Sequence, residues 1–238
     1  MIRRRDAGEA DRRLTLLTES MGKIDAIAKG ARKAGSRLAG VSDPLTLGHF
    51  SLAKGKVNRF VSQAQPIRAF RGLRQDYDRL QHALALLELV VAIFPYDQER
   101  PGSLEFLEAA LGAIETHSKP TVALVWAEVK LLFEEGAMPN FTECNLTGTP
   151  VGDREPWLSP SAGGVVRRDA ASKLMDAFPS SIPVVVGLSK IQAWDAPPPN
   201  LRQAGDCLRA LLPFWKTFAD CPLFAHEELL NSLQLDTM

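Results

Sequence analysis

The residues that usually announce chemistry or compartment are scarce in this 238-residue chain. There are three cysteines, Cys144, Cys207 and Cys221, an odd number whose spacings fit neither a disulfide framework nor a CxxC ligand pair. That excludes a disulfide scaffold and points to a reducing compartment. No apolar run approaches the roughly 18 residues of a membrane span, so no membrane partner is expected. The opening MIRRRDAGEADRR is basic but lacks the apolar stretch of a secretory signal, and a cytoplasmic location is expected. Catalytic motifs are missing too: no GxxxxGK[ST] phosphate loop, no GxGxxG, no GxSxG elbow and no HExxH. His49, His82, His117 and His226 stand apart, and HEELL at His226 lacks the second histidine of a zinc helix. Glu134 and Glu135 read as a solvated pair at a helix end. The chain is not read as an enzyme.

Net charge is also absent, but only in total. Residues 1–71 carry fifteen Lys and Arg against six Asp and Glu, a net of +9, while the remainder carries thirteen against twenty-two, a net of −9. An asymmetry of this kind is a mark of a nucleic-acid-binding segment set beside an acidic body.

The two parts also differ in period. Leu14 and Leu16 alternate with their neighbours, a turn at Ser20–Gly22 follows, and GKIDAIAKG alternates again. PLTLGHFSLAK and NRFVSQAQPI give two more strands, the second ending before Pro66, and Met1–Arg5 gives a stubby fifth. Short, curved strands within about 70 residues suggest a small barrel or sandwich. Near residue 73 the period becomes helical: Leu73, Tyr77, Leu80, Leu84, Leu87, Val91 and Phe94 make one stripe, stopped by Pro95. His82 lies one residue off that stripe and reads as a packing residue. Helices are expected over Ser103–Glu115 and Thr121–Glu134. The turn-rich stretch at about 140–168 predicts one or two hairpins. Helical patterning resumes at Asp169, and a final helix follows DAPPPN with Leu201, Leu208, Leu211, Leu212 and Trp215. The class is α+β: a β module over 1–71, then a helical domain over 72–238 carrying a hairpin insertion.

The densest cations lie between two strands, in the loop after GKIDAIA. Lys29, Arg32, Lys33 and Arg37 sit among glycines and alanines that let a phosphate approach, with Lys23 just upstream. Arg12, Arg13, Lys54, Lys56 and Arg59 could extend the patch from neighbouring strands and turns. A small barrel with cationic loops is suited to holding a nucleic-acid backbone. Aromatic platforms are few: Phe50 and Phe60 are the only ones in the frame before Phe70, and both read as core. The expectation is phosphate contact with low sequence preference and strong salt dependence. The competing reading is a helical protein-interaction scaffold whose β module binds a protein or RNA.

GEADRRLTLLTESMGKIDAIAKGARKAGSRLAG, followed by LAKGK, by FVSQAQPIRAFRGLRQDYDRL and by SPSAGGVV, resembles the bacterial recombination-mediator family RecO. The resemblance covers most of the chain and weakens beyond about residue 175. It implies an N-terminal OB-fold and a helical domain, often with a zinc-binding insertion. It further implies binding and annealing of single- and double-stranded DNA, work with RecR and with single-stranded-DNA-binding protein in RecA loading, and a nucleoid-associated location. Many members of that family carry two CxxC pairs in the insertion. Here the corresponding positions hold Cys144, Thr147, Arg167 and Ala170, so the hairpin is expected to remain without zinc, since a structural zinc site needs four good ligands. Trp157, Leu158 and Leu146 are candidates to replace the metal by packing. A basic rim for the acidic tail of single-stranded-DNA-binding protein is expected from Arg167, Arg168 and Lys173. Relatives also have residues before the segment matching RRRDAGEADR, so the first strand is expected to be short and closure of the barrel to be in question.

Overall fold

The computed structural model describes residues 1–150 and 155–235. The chain forms two compact units, one of Met1–Gln75 with Val90–Gly112, the other of Asp76–Leu89 with Ala113 onward. The β module read over residues 1–71 lies within the first unit, which also takes in Val90–Gly112.

The N-terminal unit is built on β1 (Arg3–Ala7), β2 (Asp11–Thr18), β3 (Gly22–Ala28), β4 (Leu47–Lys54) and β5 (Arg59–Arg68), followed by the short helix α1 (Arg71–Gln75). Their order in the sheet is β1-β2-β3-β5-β4. The β1–β2, β2–β3 and β4–β5 pairs are antiparallel, and β3 meets β5 in a short parallel pairing at Ala26–Arg59 and Ile27–Phe60. Alternation puts Leu14, Leu16, Ile24, Ala26 and Ala28 on the inner face, where they pack with Ala31 and Val61. Phe50 joins that core, as read from sequence. The β2–β3 turn requires Gly22: its φ is +62°, and a Cβ there would lie 1.7 Å from the Gln98 carbonyl oxygen.

Two expectations need correction here. The sheet does not close into a barrel: among the described residues β1 and β4 are not paired, and their approaches are joined by a hydrogen bond from the Leu45 N–H to the Met1 carbonyl. With five residues, all matched to β2, β1 extends no ladder to the far edge. The other concerns β5, which runs through Pro66 instead of stopping before it. At that end β5 pairs only with β4, where the register shifts between Leu47 and Gly48, and a proline without an N–H is tolerated at such an irregularity.

The helical unit contains most of α2 (Tyr77–Ile93), the end of α3 (Ser103–Thr116), and α4 (Pro120–Glu134). It continues with β6 (Trp157–Ser159), β7 (Gly164–Val166), α5 (Arg168–Ala171), β8 (Phe178–Pro179), α6 (Ile182–Ile191), α7 (Ala204–Ala219) and α8 (Phe224–Leu235). The stripe expected on α2 is partly on the wrong side. Tyr77 and Leu84 are exposed, while His82, Leu86, Leu89 and Val90 are buried. Ala83, Ala85 and Leu87 are buried as well, so the helix is enclosed around most of its circumference and periodicity alone could not pick its face. The expected hairpin is β6–β7, turned through Pro160–Gly163, with β8 on its other side. The part of the turn-rich stretch at 151–154 lies outside the described residues. The separate helix α8 was not read from the sequence at all.

What holds α8 is a set of buried polar groups. Glu88 accepts hydrogen bonds from the Ala225 and His226 N–H groups, both at 3.1 Å, satisfying free donors at the start of the helix. Glu128, fully buried on α4, accepts from Trp215 Nε1 at 3.0 Å and lies 3.0 Å from His226 Nε2. Burial opposes the His226 imidazolium, but the Glu128 and Glu88 carboxylates outweigh it and raise the His226 pKa above 6.5. His82 goes the other way. Burial lowers its pKa, and its ring is held neutral, Nδ1–H donating to the Asp78 carbonyl at 2.7 Å while Nε2 accepts from Thr121 Oγ1 at 2.9 Å.

The signs of these two shifts define a window. His226 contributes stability that is full below its unfolded pKa of about 6.5 and is lost as pH rises through its higher folded value. His82 contributes stability that is lost as pH falls below about 6.5, because the unfolded chain then takes up a proton that the fold refuses. In thermal unfolding across pH 5 to 8, His226→Gln is therefore expected to remove an alkaline limb and His82→Phe an acid limb. An unchanged difference from wild type at every pH would contradict this.

Candidate nucleic-acid interface

The candidate cations divide into those used inside the N-terminal unit and those left on its surface. Lys23 belongs to the first group. It is 4 % exposed, its Nζ donates to the Val91 carbonyl at 2.6 Å and lies 4.2 Å from the centre of the Tyr96 ring. Val91 sits in the last turn of α2, where carbonyls have no partner in the helix, so Lys23 acts as a C-terminal cap. Burial lowers its pKa. The Asp97 N–H to Lys23 carbonyl bond at 2.8 Å fastens the same segment to β3, which is why Val90–Gly112 belongs to this unit. Arg12 is likewise engaged, donating from Nη1 to the Ala39 carbonyl at 3.2 Å and to Ser42 Oγ at 2.7 Å. Arg59 pairs with Asp97 at 2.6 Å.

The loop between β3 and β4 is an ordered chain of turns with fixed roots. The Gly30 N–H donates to Asp11 Oδ1 at 2.8 Å, the Arg32 N–H to the Ala10 carbonyl at 2.9 Å, and Ala31 is fully buried. Turn hydrogen bonds step along it from Lys33 to Gly30, Ser36 to Lys33, Ala39 to Ser36 and Ser42 to Leu38. Arg32 donates to the Gly8 carbonyl at 3.1 Å and lies 3.5 Å from Asp6. Lys29, Lys33 and Arg37 are exposed. Neither Lys33 nor Arg37 makes an ion pair with a described residue. The small residues of the loop thus hold its backbone close to the sheet while its long cationic side chains point to water.

On the outer face, register aligns Arg5, Arg13, Ile27 and Phe60 across β1, β2, β3 and β5. Lys29 Nζ stands 4.6 Å from the centre of the Phe60 ring, tying the loop to this row. Phe60 is half-buried and outside the core, unlike the expectation from sequence. Arg5 directly opposite Arg13 is a like-charge pair that disfavours the free fold; Asp25, 3.7 Å from Arg13, offsets part of it. Arg3 and Arg5 were missed by sequence reading, although period 2 applied to RRRDA would have found them. Lys54 and Lys56 are exposed at the β4–β5 turn, away from any ion pair with a described residue, and Val57 between that turn and β5 is 91 % exposed.

In the helical unit, Ile182, Val186, Ile191, Trp194 and Leu201 line an apolar groove of about 410 Å³ rimmed by Lys190 and Arg202. Trp126 Nε1 to the Trp194 carbonyl and Lys130 Nζ to the Gln192 carbonyl, both 2.9 Å, brace the end of α6 that forms its wall. Arg167, Arg168 and Lys173, the rim expected from sequence, do not line it.

The four positions of the family's zinc ligands do not fit a metal. Cys144 is buried with Val166 and Ala171, flanked by Trp157 and Leu174, and its Sγ accepts from the Arg167 N–H at 3.4 Å. Burial would raise its thiol pKa, but the Thr147 hydroxyl and the N–H groups of Arg167, Leu146 and Thr147 lower it. Thr147, Arg167 and Ala170 supply no thiolate, and among the described residues no three His, Cys, Asp or Glu side chains converge on one point. Trp157 packs there as expected; Leu146 does not, being 53 % exposed on a turn whose Thr147 and Gly148 N–H groups fold back to the Cys144 carbonyl.

A small sheet with a rooted cationic loop, and in the same chain a helical unit with an apolar groove, present the surface features of a binding protein. Comparison with known proteins gives the family. The N-terminal domain of recombination protein O matches residues 1–70 and its C-terminal domain residues 74–213, and the chain belongs to this family. It is 38 % identical over 170 residues to a DNA repair protein RecO of Heliobacterium modesticaldum, covering 70 % of this chain and 62 % of that one. A Roseiflexus protein of the same name is 34 % identical over 182 residues, covering 76 % and 64 %. A Dehalococcoides mccartyi protein, also of that name, is 28 % identical over 197 residues, covering 83 % and 78 %. The matched part spans 62 % to 66 % of the length of the first three curated relatives.

Because the Lys23 ammonium is used within the fold, Lys23→Met is expected to lower the unfolding free energy by about 1–3 kcal/mol, the cost of leaving a buried acceptor unpaired. Oligonucleotide affinity should stay within about twofold, the range of a site without a phosphate contact. Unchanged melting with a large loss of affinity would return Lys23 to the interface.

Proposed function

We propose that this chain is a DNA-binding recombination mediator of the RecO type, which anneals complementary single strands and assists RecA loading together with RecR in recombinational repair. The observation that carries this reading is the cationic loop: Lys29, Arg32, Lys33 and Arg37 reach solvent from a backbone fixed at Gly30, Ala31 and Arg32. A pre-ordered loop contacts phosphates with little ordering entropy. Arg13 on the outer face and Lys54 and Lys56 at the β4–β5 turn extend the contact, and Phe60 beside Lys29 adds an aromatic edge for an unpaired base. Annealing requires two strands held close and partly neutralised, so no catalytic group is needed. The acid–histidine pair Glu128 with His226 is fully buried and unsuited to substrate.

The groove between α6 and Leu201 supports a protein partner. An acidic peptide with apolar residues, such as the tail of single-stranded-DNA-binding protein, matches apolar walls with Lys190 and Arg202 at the rim. The hairpin insertion packs around Cys144, Val166 and Ala171. A cytoplasmic, nucleoid-associated location follows from this role; no described helix is long and apolar enough to cross a membrane.

The triple variant Arg32→Ala, Lys33→Ala, Arg37→Ala tests the reading. Annealing of complementary oligonucleotides should fall by about tenfold or more, as expected for losing up to three phosphate contacts at moderate salt. Melting should change little, because exposed charges contribute about 0–1 kcal/mol each to stability. Full annealing activity in a folded triple variant would move the interface elsewhere.

A further inference from the structure

Within the N-terminal unit, three guanidinium groups converge on one carboxylate. Asp43 Oδ1 pairs with Arg4 and lies 3.4 Å from Arg12 Nη1, and its Oδ2 lies 3.8 Å from Arg74 Nη1. One negative charge thus faces three positive ones. The arginines come from β1, β2 and α1, and Asp43 is the first residue after the short 3-10 turn Gly40–Ser42 that ends the cationic loop. Two of them are fixed independently of the carboxylate. Arg12 also donates to Ala39 and Ser42, and Arg74 to the Pro44 and Ala69 carbonyls and to Thr46 Oγ1. Their positions would therefore survive its departure. A spare donor is present as well, since Arg12 Nε is buried without a hydrogen-bond partner. The cluster is open to solvent on one side: the side chains of Arg4 and Asp43 are 42 % and 33 % exposed.

We propose that Arg4, Arg12 and Arg74 form a phosphate site which Asp43 occupies in the free protein and which a DNA phosphodiester takes over on binding. A carboxylate and a phosphodiester each present a singly charged pair of oxygens to a guanidinium fork, so one can take the place of the other. Exchange costs little because the released Asp43 side chain is already partly solvated. The inference rests on the DNA reading above and goes beyond it, because no cation in this cluster except Arg12 was a candidate contact, and none of the three is exposed without a partner.

The test compares oligonucleotide binding by wild type, Asp43→Asn, and Asp43→Asn with Arg4→Gln, over a series of salt concentrations. Asp43→Asn keeps the size of the side chain and removes the charge. It should bind about three- to tenfold more tightly near 0.1 M salt, with a log–log salt slope steeper by about one contact, and Arg4→Gln should cancel both changes. A folded Asp43→Asn with unchanged or weaker affinity and an unchanged slope overturns the site and leaves Asp43 as a structural clamp. If Asp43→Asn does not fold, Arg4→Gln alone decides: a slope shallower by about one supports the site, and an unchanged slope overturns it. If wild type binds no DNA, the functional reading fails, and inorganic phosphate then tests the site separately. A rise in the melting temperature of Asp43→Asn with phosphate, absent in the double variant, supports it, and no rise overturns it.

Discussion

Nine excess positive charges confined to residues 1–71 repel one another, and the rest of the N-terminal unit is arranged around that repulsion. Three of its carboxylates stand at the roots of the cationic loop and none along its length between Ala31 and Ser42. Asp11 holds the Gly30 N–H, Asp6 lies by Arg32, and Asp43 draws in Arg4, Arg12 and Arg74. The loop is thereby anchored at both ends and left unneutralised between them. Backbone turns fix its path, buried Ala31 and the packed Leu38 seat it on the core, and the cations between are free to meet an anion. The arrangement concedes stability at the like-charged Arg5–Arg13 pair, which the proposed DNA contact would relieve.

The helical unit solves a different problem. Several of its polar groups are internal: Glu88 caps α8, Glu128 receives Trp215 and faces His226, and His82 is tied between Asp78 and Thr121. A buried carboxylate opposite a buried imidazole is expensive to break by losing one partner. The same unit presents its binding chemistry outward as an apolar groove with two cations at the rim. Charge in this unit serves packing within and selection at the edge.

Much of this was legible in the sequence for identifiable reasons. Alternation of Leu14 with Leu16 and of Ile24, Ala26 and Ala28 gave β2 and β3, because those residues share the face packed on the core, although Thr15 and Leu17 between them are buried as well. Gly and Ala around Arg32, Lys33 and Arg37 marked an exposed loop. What failed did so where a residue's partner is distant in sequence. Lys23 reads as a loop cation but lies under the end of α2, 68 positions away. Arg12 reads as surface but is held by the far end of the loop. The face of α2 was misread because alanines at 83 and 85, weak markers of burial, pack as closely as its leucines. Closure of the barrel depends on an edge pairing between β1 and β4 that no local pattern encodes.

The central claim is that the loop and the adjoining sheet carry cations disposed for a phosphate backbone. It is tested most directly by titrating the intact protein against a fluorescent single-stranded oligonucleotide at several salt concentrations. The account predicts a linear fall of log affinity with log salt, with a slope of about −3 to −5, near −0.7 for each of some four to seven phosphates on a single strand. An affinity that is absent at low salt, or that does not change with salt, would contradict it.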